Sequence, residues 1–321
     1  MRRRRSGARV TRRRRPAPGW RFRYWRSVLI RRYRPWHSRL TRHYYSWHSR
    51  LTPRRLLLVA ATTAIAGIVI ALPPVWSFVT GDSAVPCQQL LVPAYFYPGA
   101  NWTKAIRSRP VPDLMIFDIT SSGAGSAPNR VYQAEVKRAK IAGITVLGYA
   151  DTDYGHRPAG AVEADVRHYQ SWYGVTNIFL DEVASDRGQV AYYRRLSDYV
   201  HGLDSGSLVV LNPGTYPAQA YMSIGDVVLA YEGTYADYLR LRIPGWAKHY
   251  PAASFAYVIY STPRSQLTTA IRSALSRGAG YLYVTNGSGA ARYDALPGYW
   301  PAENAAFAAN CSQGLRPSGQ S

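Results

Sequence analysis

The pentapeptide Ile178-Phe179-Leu180-Asp181-Glu182 constrains this chain more than any other stretch. An apolar run that stops abruptly on two acids reads as a buried parallel strand. Such a strand carries charge to the mouth of a sheet or barrel, where ligands bind. The pattern recurs. Val227-Val228-Leu229-Ala230-Tyr231 runs into Glu232, and Leu208-Val209-Val210-Leu211 runs into Asn212. Several strands ending on polar groups point to one shared site, and the carboxylates point to acid–base work on a sugar.

Eight runs of this kind can be marked, at 90–97, 114–120, 145–151, 178–183, 208–212, 226–232, 254–260 and 281–285. Helix-like segments separate them, among them 130–142, 161–173, 190–203 and 265–277. Gly143, Gly174 and Gly280 follow helices, where a left-handed cap or turn is expected. Eight strands in about 225 residues predict a (β/α)8 TIM-like barrel, whose usual size is about 250. A doubly wound open sheet is the competing fold. It lacks the Gly-rich phosphate loop after its first strand.

In a barrel the strand ends converge on one face. Tyr95 and Tyr97 end the first strand and Asp118 the second. Tyr149, Asp151 and Asp153 cluster at the third, and Asp181 and Glu182 at the fourth. Asn212, Glu232, Tyr260 and Asn286 end the remaining four, with Tyr231 beside Glu232. Aromatic faces stack on sugar C–H surfaces while carboxylates and amides bond the hydroxyls. Glycoside hydrolysis needs one acid to protonate the leaving oxygen and one carboxylate as nucleophile or base. Asp181, Glu182 and Glu232 are the candidates. Side chains alternate along a strand, so Asp181 and Glu182 cannot both face inward on regular backbone, and one of them is expected at the strand's last residue or already in the loop. Glu232 and one of that pair are expected to do the chemistry, while the other orients substrate or tunes a pKa. The competing reading has these acids capping helices or pairing with Arg187 and Arg130.

The formal net charge of +22 sits almost wholly in the first 55 residues, which hold 20 Arg and no Lys, Asp or Glu. The remainder is close to neutral, so the charge gives no ground for a specific nucleic-acid partner. Residues 56–79 carry no charge. Their apolar core, 56–72, would span roughly 26 Å as a helix. This segment reads as an uncleaved transmembrane signal anchor, with Trp76 and Phe78 suited to the interface. A cleaved secretory signal is the alternative. The positive-inside rule places the Arg-rich tail in the cytoplasm and the barrel, 89–311, outside the cell membrane after a linker at 80–88. Residues 312–321 read as a C-terminal tail. Within the basic tail, Trp36-His-Ser-Arg-Leu-Thr41 repeats as Trp47-His-Ser-Arg-Leu-Thr52. A period of 11 puts both tryptophans on one helix face, which suits anionic lipid. A disordered tail that only sets topology is the plainer reading.

Cys87 and Cys311 flank the exported domain, and on that side a disulfide could tie its start to its end. None of the seven His has metal-ligand spacing, no Gly-x-Ser-x-Gly elbow occurs, and no cofactor is expected.

Five motifs in order then carry a family resemblance. They are Val92-Pro-Ala-Tyr-Phe-Tyr-Pro98 with Trp102, Gly148-Tyr-Ala-Asp-Thr-Asp-Tyr154-Gly-His-Arg157, Phe179-Leu-Asp-Glu182, Asn212-Pro-Gly-Thr215 and Tyr231-Glu232. Over roughly residues 90–310 the chain resembles the spherulin-4-like proteins, spherulation-specific family 4. The resemblance implies a (β/α)8 glycoside hydrolase, endo-acting on α-1,4-linked galactosamine and N-acetylgalactosamine polymers, with activity at Asp181, Glu182 and Glu232. One departure touches substrate identity. The family's Asn-Pro after the second strand is replaced by Asp118-Ile119, although the frame Ser122-Gly-Ala-Gly125 remains. The expectation is a membrane-anchored hydrolase of an extracellular polysaccharide. Its rivals are a non-catalytic glycan-binding or surface-structural barrel, and a protein whose working part is the tail.

Overall fold

The computed structural model describes residues 87–314, and their side chains as far as Asn310. Eight parallel strands pair in chain order and close into a barrel. They are β1 (Gln89–Ala94), β2 (Leu114–Phe117), β3 (Thr145–Asp151), β4 (Ile178–Asp181), β5 (Val209–Leu211), β6 (Val227–Thr234), β7 (Phe255–Tyr260) and β8 (Tyr281–Val284). The seam between β8 and β1, with Leu90 opposite Leu282, excludes the open doubly wound sheet. Each strand is buried on both faces, which is why it reads as a continuous apolar run.

Helices α1 (Ala100–Arg107), α2 (Arg130–Ile141), α3 (Ala159–Tyr173), α4 (Val190–Leu203), α5 (Tyr235–Tyr238), α6 (Leu267–Ser276) and α7 (Trp300–Gly314) complete the wrapping. Asn129 caps α2 by accepting the Val131 N–H at 3.0 Å. Gly143 and Gly174 do take positive φ. Gly280 does not: it lies flat against the backbone of Ala252, where a Cβ would collide, and Gly278 supplies the left-handed turn after α6. Between β5 and β6 no α-helix forms, because Pro213 and Pro217 break the segment, and a short 3-10 turn at Gln219–Ser223 replaces it.

Several strands end earlier than their apolar runs suggest. β2 stops at Phe117 because the Asp118 carboxylate accepts the N–H groups of Thr120 and Ser121, at 3.1 and 2.7 Å, and folds the loop. β4 stops at Asp181 because Glu182 has φ of 50°. β6 runs longer, to Thr234, since its pairing with β7 persists past Glu232.

Among the described residues no helix is long and apolar enough to cross a membrane. The anticipated span at 56–79 and the basic tail lie outside the described residues. Cys87 is exposed and free; the side chain of Cys311, its expected partner, also lies outside them.

Candidate active site

Asp181 is the last residue of β4, and Asn212 follows β5 directly. The Asn212 amide nitrogen donates to Asp181 Oδ1 at 2.6 Å and to Glu232 Oε2 at 2.9 Å. Its oxygen accepts the Gly214 N–H at 2.9 Å, which fixes the amide with its two hydrogens toward the acids. The other carboxylate oxygens are also engaged. Tyr149, on β3, donates to Asp181 Oδ2 at 2.7 Å, and Tyr293 donates to Glu232 Oε1 at 2.8 Å. Arg292 lies 3.5 Å from that same Glu232 oxygen, with its guanidinium over the rings of Tyr260 and Tyr293.

Two local distortions aim these acids. Between Leu229 and Tyr231 the register of β6 against β7 slips by one residue, so that Glu232 faces Val258. A bulge of this kind re-aims the side chains beyond it. At the end of β4, the positive φ of Glu182 breaks strand alternation and brings both neighbouring acids to the wall of one cleft. For a residue with a Cβ this conformation costs about 1–2 kcal/mol. The Glu182 carbonyl is clasped by the Tyr154 N–H at 2.7 Å and the Thr152 hydroxyl at 2.9 Å. Ser121, Asp153, Tyr154 and Ser261 also have positive φ, and all sit in loops at this mouth.

Burial, and then the charge of Glu232, push the Asp181 carboxyl up to about 6. Burial, reinforced by the adjoining carboxylates, likewise drives the phenols of Tyr149, Tyr293 and Tyr95 upward, so they remain donors. Tyr95 stands edge-on to Tyr149 and Tyr293, at ring distances of 5.5 and 5.6 Å, and braces both. Among the described residues no group of three or more His, Cys, Asp and Glu converges as metal ligands do.

The cleft has a volume of about 280 Å³, and Tyr154, Asp181, Glu182, Asn212, Glu232, Tyr260 and Arg292 line it. A larger groove of about 840 Å³ runs along the flank between α1 and the start of α7, with no carboxylate in its wall. The smaller cleft holds the acids and is the candidate site.

The structure thus brings together Asp181, Glu182, Glu232, Asn212, Tyr149, Tyr95 and Tyr260. Other anticipated binding residues stand elsewhere. Tyr231 packs on Tyr238 and Tyr257, on the opposite side of its strand from Glu232. Asp118 shapes its own loop, and the Asp151 carboxylate accepts the Asp153 N–H at 2.8 Å. Asp153 is exposed. Asn286 holds the β8–α7 loop by accepting the Gly298 N–H at 3.0 Å. Tyr97, 63% exposed, meets Tyr132 at the rim. Sequence reasoning missed Arg292, Tyr293 and Tyr154. The last lay in plain view inside the motif Asp151-Thr-Asp-Tyr154.

Comparison with known proteins follows the same outline. The profile of spherulation-specific family 4 matches residues 89–307. Spherulin-4 of Physarum polycephalum is 31% identical over 247 residues, 73% of this chain and 74% of that protein. The crystal structure of Aspergillus clavatus Sph3 in complex with GalNAc is 25% identical and superposes with a TM-score of 0.61. That match covers 70% of this chain and 99% of the Sph3 chain. The glycoside hydrolase domain of PelA from Pseudomonas aeruginosa overlaps more loosely, at 14% identity and a TM-score of 0.40, over 65% of this chain and 96% of that one.

Proposed function

The chain belongs to spherulation-specific family 4, and from that premise we propose that it is a glycoside hydrolase working through Asp181 and Glu232. The observation that carries this reading is the single amide shared by two acids. Asp181 Oδ1 and Glu232 Oε2 both lie within hydrogen-bond reach of Asn212 Nδ2, so they are no more than about 5.5 Å apart. Retaining glycosidases hold their carboxyls about 5–5.5 Å apart, whereas inverting enzymes need roughly 6.5–9.5 Å to seat a water between them. The spacing supports double displacement with retention. One carboxylate attacks the anomeric carbon while the other, protonated, gives its proton to the leaving oxygen. The second then takes a proton from water as the water oxygen bonds to the anomeric carbon, and the bond from that carbon to the first carboxylate breaks, which releases the sugar. The raised Asp181 carboxyl supports a pair that shares one proton near pH 6. Glu182, at the cleft wall, is placed to bind sugar hydroxyls or an amino group.

As substrate we propose a polymer containing N-acetylgalactosamine or galactosamine, cleaved internally, by analogy with the sugar bound to Sph3. The uncharged segment 56–79 supports anchoring in the cell membrane, with the Arg-rich tail cytoplasmic and the barrel outside. The test is release of reducing ends from such a polymer, with the anomer of the first product followed by NMR. Release with retention, abolished in Asp181→Ala and Glu232→Ala, is the expected result. Binding without release, unchanged in both variants, would replace the hydrolase with a glycan-binding barrel.

A further inference from the structure

In a barrel of parallel strands the helices run back from the mouth, so their C-terminal ends form the base. One corner of that base, at the ends of α1, α2 and α3, gathers cations around exposed apolar surface. Lys137 and Lys140, on the last turns of α2, are exposed there, while Arg107 and Arg109, at and past the end of the neighbouring α1, are exposed on the side of that helix that borders the flank groove. Ile141, at the last turn of α2, is 76% exposed. Lys137, Lys140 and Ile141 share a groove of about 470 Å³ with Trp172 and Tyr173.

The acids near this corner are already engaged. Glu135 pairs with Arg138 at 2.7 Å, and the Asp113 carboxylate accepts the Leu90 N–H at 2.7 Å. Lys140 donates to the Gly174 carbonyl at 2.7 Å and still presents its ammonium at the surface. Lysine, arginine, tryptophan and an exposed isoleucine together match the chemistry of a bilayer interface.

The path of the chain favours the same partner. The hydrogen bond between Leu90 and Asp113 lies where the chain enters β1, at the seam with β2 and at this end of the barrel. Residues 80–86 alone separate the uncharged segment 56–79 from Cys87. Seven residues reach at most about 25 Å.

We propose that this corner of the base seats on the anionic headgroup surface of a lipid bilayer. Arg107, Arg109, Lys137 and Lys140 face the headgroups, and Ile141 and Trp172 reach the interface. The nearness of the bilayer rests on the anchored reading given above; the cationic corner does not. The attraction is electrostatic and is screened by salt.

The full chain is reconstituted into phosphatidylcholine vesicles with and without phosphatidylglycerol, and amide hydrogen exchange is followed across residues 137–143. Exchange about fivefold slower in the anionic vesicles, restored by high salt, is expected. Lys137→Glu with Lys140→Glu should abolish that protection while the barrel strands exchange as in wild type. Arg107→Glu with Arg109→Glu, on a different helix, provides a second route to the same loss. Equal exchange in both vesicle types overturns the proposal. Protection by soluble polyphosphate without vesicles also overturns it, in favour of a polyanion site. Flotation with vesicles after alkaline carbonate reports the anchor separately. Flotation without protection removes the docking and leaves the anchor; loss of flotation removes the anchor, and the exchange data still decide the docking.

Discussion

At the base of the barrel the Asp113 carboxylate accepts the Leu90 N–H at 2.7 Å, Asp226 accepts the Val209 N–H at 2.7 Å and Asn177 accepts the Leu208 N–H at 2.9 Å. At the mouth, Asp181, Asn212 and Glu232 are bonded to one another and to two tyrosines. The same side-chain types serve opposite ends differently. A carboxylate tied to the first backbone N–H of a strand holds that strand's position and has little else to offer. One tied to side chains that also hold a second acid shares that acid's charge, and its proton affinity becomes part of the chemistry. On the proposed function, polar residues at the base hold the strands in place, and those at the mouth bear on rate as well.

Substitution at the mouth gives the largest effects. Glu232→Gln keeps the size of the side chain and removes its charge, and should lower kcat by about 10³-fold or more while the thermal midpoint holds. A loss of folding in step with activity would erase the contrast between the two ends. Asn212→Ala takes one donor from each acid. It should cost about 10²-fold in kcat and shift the fall in activity to higher pH, because the Asp181 carboxyl loses a bond that favours ionisation. An unchanged pH profile would show that the amide holds position only.

The wild type should lose about tenfold in rate per pH unit above about 6, as the proton leaves Asp181. Stability follows the same group. Its folded pKa is raised from 3.8, so its favourable contribution is complete below the unfolded value and is lost as pH rises through about 6. Asp181→Asn should accordingly match wild type at pH 4 and exceed it by ~2 kcal/mol at pH 8, measured by urea unfolding.

At the base, Asp113→Ala orphans the Leu90 N–H and should cost ~1–3 kcal/mol in the same urea assay with kcat intact. A fall in kcat comparable with that of Asn212→Ala would mean that the base feeds the site. Smallest of all, Tyr97→Ala at the rim should raise KM a few-fold and leave kcat alone.

What the sequence made legible follows from this division. The strands stand out because burial on both faces writes each as an unbroken apolar run, and Asp181, Asn212 and Glu232 stand out because they end such runs. Arg292 and Tyr293 gave no such signal. They come eight and nine residues after Val284, in a loop without periodicity, and reach the cleft only because that loop folds back over it. Strand alternation required one of Asp181 and Glu182 to stand at the strand's last residue or already in the loop, and Asp181 does end β4 with Glu182 just beyond it. The positive φ that brings both to one cleft belongs to a residue with a Cβ, which carries no mark in sequence. The bulge at Ala230 was equally silent. Tyr231, beside a site residue and aromatic, had every appearance of a ligand platform until the strand's geometry turned it outward to Tyr238.

Because β1 begins and α7 ends at the base, the two ends of the folded domain leave from the side opposite the cleft. A bead, a tag or a second enzyme fused at either end would leave the mouth unobstructed. The domain is thus suited to immobilisation with its cleft facing outward.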